Sequence, residues 1–437
     1  MKRIACHTLG CKVNQYDTQA MLEAFERAGY TGVGFEEEAE VYLINTCTVT
    51  GTGDQKSMKL IRRVHRSHPE AAIVVAGCLA QRDAPRVMLP GVRLAVGAKR
   101  RGEVAELLER ALRENVSLSA VDADGEWTFE RLSVERHEGH TRATMKIQEG
   151  CDRYCSYCII PYVRGPIRSM PLEAVRAEAE TLAEAGYLEV VLTGIHLASY
   201  GRETGLTLMD AVRAVHESPV RRIRLGSLEP TAVDDATVQA LAGLYKVCPQ
   251  FHLSMQSGSD GVLRRMRRRY DAEGYLAAAR RLQRAFPLGA ITTDVLTGFP
   301  GETEQEAEET ERFLREVGFA RIHVFPYSRR AGTAADAMPD QVPEAVKQAR
   351  AARLIAIGNE LEASFVQKLV GKRCQVLFET ALTDGIAEGY TEQYARVRAK
   401  AAPGELKEIF IERVQDGVLI GRDPFPSSEG CPEGAGR

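Results

Sequence analysis

Residues 150–161 read GCDRYCSYCIIP and place Cys151, Cys155 and Cys158 within eight positions. A structural zinc site normally has four ligands, usually supplied as two pairs. No fourth Cys or His stands close to this stretch. An iron–sulfur cube held by three thiolates leaves one iron without a protein ligand, and that iron can bind a substrate or cofactor directly. Three cysteines in this spacing therefore favour an open iron–sulfur site, with zinc or scattered buried cysteines as the alternatives.

The stretch lies near the start of a strand–helix alternation that begins at residue 143. Its strand candidates are ATMKIQ, LEVVLTG, RIRLGS, FHLSMQ, AITTDVLTG and RIHVFPY. Such alternation indicates parallel strands, whose carboxyl ends form the ligand-binding mouth of a barrel. Six units fall short of the eight in a closed barrel. We therefore expect an α/β core over residues 137–368 that forms an open, partial (βα)6 barrel.

The first 112 residues repeat the alternation and predict an open α/β domain with a parallel sheet. Three of its strand runs end in a cysteine: RIACHTLGC at Cys11, VYLINTC at Cys47 and IVVAGC at Cys78. The carboxyl ends of parallel strands lie along one edge of a sheet. We therefore expect these three cysteines to converge, although they stand 36 and 31 positions apart. Cys6 and Cys248 are instead interpreted as small core residues.

The remaining regions carry weaker patterns. Residues 113–136 are polar and unpatterned, which predicts a linker or surface excursion. Residues 369–426 form short alternating runs with Gly and Asp turns. This pattern predicts a small antiparallel β-barrel, in the size range of nucleic-acid-binding barrels. Residues 427–437 are predicted to be a disordered tail in which Cys431 is an unligated thiol.

Composition limits the class of protein. The chain has 437 residues and a formal net charge of −3, so nucleic-acid binding would need local basic patches. No apolar run approaches the roughly 20 residues of a membrane span. The start, MKRIACHTLG, lacks the apolar core of a signal peptide. Ten cysteines are too sparse over this length for a secreted disulfide scaffold, so we expect a cytoplasmic protein with no membrane partner.

The cysteine spacing, with Tyr157 before the last cysteine, resembles the radical S-adenosylmethionine signature. The resemblance implies that a 4Fe–4S cluster on Cys151, Cys155 and Cys158 binds the methionyl amine and carboxylate of S-adenosylmethionine. One electron then cleaves the cofactor and gives a 5′-deoxyadenosyl radical that abstracts a hydrogen. LTGIHLASYG (192–201) and DVLTGFPGET (294–303) are similar to cofactor-binding segments of that family, and GSLEP and LSMQSGSD stand at later strand ends that face the same mouth. They suggest as cofactor-binding residues Tyr157, Thr193, Gly194, Glu229, Gln256, Asp294 and Gly298.

HTLGCKVNQYDTQ, NTCTVT and AGCLAQ resemble, in order, the three amino-terminal cysteine motifs of the methylthiotransferases. The domain order also matches that family, including a terminal RNA-binding barrel of the TRAM type, which is OB-like. The resemblance implies a transferase with a second, auxiliary 4Fe–4S cluster on Cys11, Cys47 and Cys78. That cluster would hold sulfide or methylsulfide for insertion at a carbon. Two molecules of S-adenosylmethionine would be used per turnover, as methyl donor and as radical source, and no side chain need act as the main acid or base.

Family targets are a modified adenosine beside the tRNA anticodon or an aspartate of a ribosomal protein. HTLGCKVNQYDT resembles the threonylcarbamoyladenosine enzymes, which implies methylthiolation at C2 of that nucleoside at tRNA position 37. Lys12 and Val13 differ from the Gln-Met of the isopentenyladenosine type and the Pro-Lys of the ribosomal type. Both types stay as alternatives. The chemistry also implies an electron donor such as flavodoxin or ferredoxin.

Charge patterning gives the candidate RNA contacts. KLIRRVHRSH (59–68) is basic, and RRMRRR (264–269) holds five arginines in six positions. From residue 368 onward, ten Lys or Arg face eleven Asp or Glu, so the barrel's attraction for RNA must be local. This balance leaves open the ribosomal-protein target, and an iron–sulfur or zinc RNA-binding scaffold is the non-enzymatic alternative. The candidates are Arg264, Arg265, Arg267, Arg268, Arg269, Lys372, Arg373, Arg396, Arg398 and Lys400, with Tyr390 and Tyr394 as stacking platforms.

Overall fold

The computed structural model describes residues 2–122, 126–132, 134 and 141–424. Its first unit is a six-stranded parallel sheet in the order β2-β1-β3-β4-β5-β6. Strands β3 and β4 are buried along their whole length, as expected for a parallel sheet covered by helices on both faces. The elements are β1 (Lys2–Thr8), α1 (Lys12–Arg27), β2 (Tyr30–Val33), β3 (Val41–Thr46), α2 (Gly51–Ser67), β4 (Ala72–Gly77), α3 (Cys78–Arg82), α4 (Ala84–Val87), β5 (Val92–Val96), α5 (Val104–Arg113) and β6 (Leu118–Ala120).

Strands β1, β3 and β4 are neighbours in this sheet and run in the same direction. Thr8 pairs with Asn45, and Thr46 pairs with Gly77, so the three strands end at the same level. Each strand leads directly into a loop or helix that begins with a predicted ligand. The register therefore brings three distant cysteine motifs to one edge.

The central unit is an open half-barrel with six parallel strand positions. Its elements are β7 (Arg142–Glu149), α6 (Ile160–Arg164), β8 (Arg168–Ser169), α7 (Leu172–Glu184), β9 (Glu189–Gly194), α8 (Leu208–Glu217), β10 (Arg222–Leu225), β11 (Ser227–Leu228), α9 (Asp235–Ala242), β12 (Gln250–Leu253), α10 (Asp260–Arg265), α11 (Ala272–Ala285), β13 (Ala290–Thr297), α12 (Glu304–Val317), β14 (Arg321–Pro326) and α13 (Glu344–Gln367). The third strand position is divided into two short strands. Strand β10 pairs with β9, and strand β11, which follows Gly226, pairs with β12. Among the described strands β14 pairs with β13 alone, which leaves the barrel open as predicted.

The last unit is a closed five-stranded barrel in the order β15-β16-β17-β19-β18. Its strands are β15 (Arg373–Ala381), β16 (Ile386–Thr391), β17 (Arg396–Lys400), β18 (Leu406–Gln415) and β19 (Val418–Arg422). The predicted barrel is thus confirmed, with one difference from a purely antiparallel ladder. Strands β17 and β19 are parallel, because β19 returns alongside β17 to close the barrel. The end of α13 packs Phe365 and Val366 into the barrel core.

The predicted linker differs from the structure. Residues 118–120 form β6 at the edge of the first sheet. Leu132 and Val134 are buried against Tyr16 and Ala20, because their apolar side chains fill the face of α1. The predicted boundaries at 112, 136, 368 and 426 stay predictions, and Cys431 and the predicted tail lie outside the described residues. No helix within the described ranges is long and apolar enough to cross a membrane.

Candidate functional site

A cavity of about 590 Å³, a volume typical of small-molecule sites, runs along the inside of the half-barrel. Its wall includes Thr193 and Glu229 near the carboxyl ends of the strands and Arg321 near an amino end. The terminal barrel contributes Tyr394 to the same wall. Four of the six predicted cluster ligands line this cavity: Cys11, Cys151, Cys155 and Cys158.

Cys11, Cys47 and Cys78, which we call the strand-end cysteines, follow β1, β3 and β4. Cys11 is the N-cap of α1, and Cys78 is the first residue of α3. Gly10 has a φ of +110°, and a Cβ at that position would lie 2.9 Å from the Cβ of Cys47. The first two cysteine loops are therefore in close contact, and this contact requires glycine at position 10.

Asn14 fixes the loops that carry these cysteines. Its side-chain amide donates to the carbonyl of Leu9 at 2.8 Å and to that of Thr46 at 3.0 Å. Asn45 in turn donates to the carbonyl of Asn14 at 2.9 Å. Both Asn side chains are buried, so these bonds act without competition from water.

Arg164 connects the half-barrel to the strand-end cysteines. It lies at the end of α6, six positions after Cys158, and is fully buried. Its Nε donates to Sγ of Cys78 at 3.3 Å, and its Nη2 donates to Oδ1 of Asn14. Its Nη1 lies 2.9 Å from Oδ2 of Asp17. A residue of the half-barrel therefore bonds directly to a predicted ligand of the other domain.

Arg164 belongs to a network of four cations, two fully buried carboxylates and the half-buried Glu130, which lies 2.8 Å from Arg101. Arg101 lies 2.6 Å from Asp17 and donates both Nη atoms to Glu149 at 2.9 Å. Burial opposes ionisation of both buried carboxylates, but the facing cations hold the pKa of each below its usual value. Cations thus outnumber carboxylates next to Cys78, and such a surplus stabilises a neighbouring thiolate. The members are Asp17, Glu149, Glu130, Arg101, Lys146, Arg164 and Arg168.

Cys151, Cys155 and Cys158, which we call the loop cysteines, lie between β7 and α6. The backbone N–H of Cys151 donates to the carbonyl of Gly165 at 3.1 Å. Arg268 donates from Nη1 to Sγ of Cys155 at 3.2 Å. Each set of three cysteines therefore has one buried arginine that donates to one of its sulfurs.

Burial disfavours the thiolate form of four of these cysteines, Cys47, Cys78, Cys151 and Cys158. Burial raises the pKa of Cys47 and Cys151 to about 11 and that of Cys158 to about 12. Burial also raises the pKa of Cys78, although Arg164 opposes that shift. Metal ligation needs thiolates, so binding of a metal here releases protons.

The predicted cofactor-binding residues divide into two groups. Asp294 and Gly298 do not line the cavity: Asp294 lies 3.4 Å from His252, and a Cβ on Gly298 would meet Lys347 at 2.2 Å. Gln256 lines the cavity with a left-handed φ of +71°, a strained backbone typical of a functional position. The residues that line the cavity are Tyr157, Thr193, Gly194, Glu229 and Gln256.

Glu229 is a buried, ionised carboxylate in the cavity wall. It lies 2.6 Å from Arg153, 3.2 Å from His196 and 3.6 Å from Arg268. Burial opposes ionisation, but the hydrogen bond with His196 and the charges of the two arginines outweigh it and lower the pKa of Glu229 to about 2. The group is therefore an acceptor throughout the physiological range.

Two of the predicted RNA-contacting arginines have internal partners. Arg268 faces the cavity, and Arg265 lies 2.7 Å from Glu306. Arg264, Arg267 and Arg269 are exposed. The run changes direction because α10 ends at Arg265 and Arg267 adopts a φ of +58°.

The basic residues of the terminal barrel are largely paired. Arg398 lies 2.8 Å and Arg396 3.9 Å from Glu388, and Arg373 lies 3.4 Å from Glu408. Lys372 and Lys400 are exposed.

The predicted stacking residues contact each other. The rings of Tyr390 and Tyr394 are stacked, with centroids 4.7 Å apart. Arg142 and Arg224 lie over the Tyr394 ring at 4.9 and 4.8 Å. These rings therefore already have partners within the protein.

Several residues at the site carry no sequence signal of function. Arg101 and Arg164 reach the site only through domain packing, and Arg321 and His323 line the cavity from β14. Lys12 also lines the cavity, although the sequence marks it only as a difference between enzyme types. Spacing could not have identified them, because their partners are remote in the chain.

The donor set suits two iron–sulfur clusters, since each set offers three thiols, a buried arginine donor and a face open to the cavity. Throughout the described part of the chain, no three His, Cys, Asp or Glu side chains are close enough together to hold a single metal ion.

Comparisons with known proteins agree with this geometry. A family model described as "Uncharacterized protein family UPF0004" matches residues 3–96, and one described as "Radical SAM superfamily" matches residues 145–314. A threonylcarbamoyladenosine tRNA methylthiotransferase, MtaB, of Bacillus subtilis (strain 168) is 40% identical over 98% of this chain and 96% of its own length. The MtaB of Aquifex aeolicus (strain VF5) is 35% identical over 91% of this chain and 99% of its own.

Other matches extend this relationship. A tRNA-2-methylthio-N(6)-dimethylallyladenosine synthase of Bacillus subtilis (strain 168) is 33% identical over 96% of this chain and 86% of its own length. Among solved structures, the radical S-adenosylmethionine methyltransferase TsrM from Kitasatospora setae, with cobalamin and a 4Fe–4S cluster bound, shares the fold at a TM-score of 0.59 and 14% identity over 77% of each chain. Radical S-adenosylmethionine enzymes use a 4Fe–4S cluster and S-adenosylmethionine, which the donor sets fit. This chain belongs to the radical S-adenosylmethionine family of tRNA methylthiotransferases.

Proposed function

We propose that this protein places a methylthio group on C2 of N(6)-threonylcarbamoyladenosine at tRNA position 37. The observation that carries the proposal is that Cys11 and the loop cysteines line one cavity. Sulfur insertion at an unreactive carbon needs a radical source and a sulfur donor at the same substrate atom. Relatives named for this substrate in Bacillus subtilis are 40% identical, against 33% for the dimethylallyladenosine synthase of the same organism.

The protein's own residues bind and orient the reactants. The loop cysteines would hold one 4Fe–4S cluster, and the strand-end cysteines would hold the second. When bound, these groups, a sulfide or methylsulfide and two molecules of S-adenosylmethionine supply the one-electron chemistry, the sulfur and the methyl group. Glu229 offers a permanent acceptor to an amine of the cofactor, and Gln256 and Thr193 offer polar contacts around it.

The same walls keep water away from the reacting carbon. The half-barrel surrounds the cavity on its strand side, and the buried arginine network fills the junction with the amino-terminal sheet. Arg264, Arg267 and Arg269 supply exposed positive charge at the rim for RNA phosphates, together with Lys372 and Lys400 on the terminal barrel. A small electron-transfer protein such as flavodoxin or ferredoxin would supply the electron that this chemistry needs.

Nucleoside mass spectrometry of tRNA from a strain that lacks this gene tests the substrate. We expect loss of 2-methylthio-N(6)-threonylcarbamoyladenosine and recovery on complementation with the wild-type gene. Complementation with a Cys11→Ala gene is the matched control and should not restore the nucleoside. Loss of the isopentenyl counterpart instead would overturn the choice of substrate.

A further inference from the structure

The cavity wall contains more cationic than anionic side chains. Its five Lys or Arg residues are Lys12, Arg153, Arg224, Arg268 and Arg321, and Glu229 is the one carboxylate among the described lining residues. Arg153 and Arg268 face Glu229, and Arg224 lies 2.7 Å from the buried Glu189. Arg321 lies 3.9 Å from Glu362, so four of the five cations have an anionic partner within 4 Å.

Lys12 has no such partner. Its ammonium forms no hydrogen bond or ion pair with any residue in the described ranges, and its side chain is accessible to the cavity. Glu189, whose negative charge acts on Lys12, already faces Arg222 at 2.8 Å and Arg224 at 2.7 Å.

The two classes of tRNA substrate differ in this chemistry. A threonylcarbamoyl group is threonine joined through its amine, and it keeps a free carboxylate. A dimethylallyl group is a hydrocarbon and carries no charge. Placing a hydrocarbon against Lys12 would remove water from an unpaired ammonium without replacing it, which is costly. Placing a carboxylate there would form a charge-assisted hydrogen bond.

We propose that Lys12 determines substrate specificity by binding the carboxylate of the threonylcarbamoyl group. This inference rests on the proposed function and assigns the recognition to one side chain. Lys12 directly follows Cys11 and lines the same cavity, so a carboxylate held by it keeps the target nucleoside in the cavity that Cys11 lines. The positive first turn of α1, which contains no acidic residue, adds to the attraction.

Two synthetic anticodon stem-loops test the proposal, one with threonylcarbamoyladenosine and one with its methyl ester. The ester lacks the charge and carries one additional methyl group. Full-length reconstituted protein is assayed on both, and the ratio of kcat/KM for the acid over the ester is measured for each variant. Partial loss of a cluster cancels in this ratio, because both substrates meet the same preparation.

We expect wild type to prefer the acid by about tenfold or more, the usual effect of a hydrogen bond to a charged group. Lys12→Met should reduce the ratio to within about twofold of one, whereas Lys12→Arg should keep most of the preference. Lys368→Met removes an exposed charge outside the cavity and should leave the ratio unchanged.

A Lys12→Met enzyme that retains the wild-type ratio overturns the proposal and indicates that Lys12 contacts a phosphate or the cofactor. The proposed function fails separately, and this inference with it, if wild type modifies neither stem-loop.

Discussion

The loop cysteines lie within one loop of eight residues. The strand-end cysteines instead come from three separate segments: Cys47 follows Cys11 by 36 positions, and Cys78 follows Cys47 by 31. Local chain geometry arranges the first set. Strand register arranges the second, because β1, β3 and β4 end at the same level of one sheet. Both sets nevertheless receive one hydrogen bond from a buried arginine, Arg268 to Cys155 and Arg164 to Cys78. The comparison indicates that the surroundings of the sulfurs are alike even though the means of placing them differ.

The largest expected effect comes from removing each set of thiols. Alanine at Cys151, Cys155 and Cys158 should abolish formation of 5′-deoxyadenosine, because this set binds the cluster that cleaves S-adenosylmethionine. Alanine at Cys11, Cys47 and Cys78 should preserve 5′-deoxyadenosine and stop thiolation. Iron should fall from about eight per chain to about four in either variant. Unchanged thiolation in the second variant would remove the strand-end set from the reaction.

Glycine substitutions distinguish the two means of placement. Gly10→Ala would bring a Cβ to 2.9 Å from Cys47, and Gly150→Ala would bring one to 1.7 Å from the carbonyl oxygen of Pro166. We expect each variant to lose about half of its iron, from the strand-end set and the loop set respectively. Gly29→Ala is the control, since Gly29 has a φ of +89° with no atom within 4 Å of the added Cβ. Electron paramagnetic resonance of the reduced proteins identifies the set that remains, and retention of both by Gly10→Ala contradicts the close contact.

The arginine donors should tune the two clusters separately. A hydrogen bond to a cluster sulfur stabilises the reduced, more negative state, so its loss lowers the reduction potential. Arg164→Lys keeps a buried cation but loses the forked geometry that reaches Cys78. We expect a decrease on the order of 59 mV, the one-electron equivalent of a tenfold change, at the strand-end cluster only. Arg268→Lys should lower only the other potential, and a redox titration in which Arg164→Lys matches wild type would refute the coupling.

The smallest expected effect is a pH dependence of stability, which arises where Glu178 of α7 contacts Tyr16 of α1. Burial raises the pKa of Glu178 to about 8, against an opposing hydrogen bond from Tyr16 of α1. The unfolded chain releases this proton near its usual pKa, so the contribution of Glu178 to stability falls between about pH 4.5 and 8. Glu178→Gln should remove that contribution. The melting temperature of the variant relative to wild type should therefore rise with pH across this window, and a constant difference would show that Glu178 does not titrate there.

Much of this architecture could be predicted from the sequence because it depends on short-range patterns. The spacing of the cysteines predicts the loop set. The alternation of strand and helix predicts the six strand positions of the half-barrel and the cysteines after β1, β3 and β4. The run of five arginines at residues 264–269 shows what composition alone cannot predict. Its composition indicates an RNA contact for every member, yet Arg268 faces the cavity and Arg265 pairs with Glu306, because the backbone turns within the run.

The contacts that join the domains could not be predicted in this way. Arg164 and Cys78 are 86 positions apart, and Arg164 and Asp17 are 147 apart. Arg164 and Asp17 carry no sequence pattern of their own, since a buried ion pair depends on how two domains pack. The partnerless state of Lys12 is likewise a property of the whole cavity wall.

The attachment of the terminal barrel has a further consequence for the RNA. Arg222 donates to the carbonyl of Thr391 at 3.1 Å and Arg224 to that of Glu392 at 2.9 Å, and both arginines are held by Glu189. These hydrogen bonds fix the position of the terminal barrel relative to β10. An RNA bound to the outer strands of the terminal barrel would therefore lie at a fixed distance from the cavity. The enzyme would then select one nucleotide by its distance along the anticodon arm.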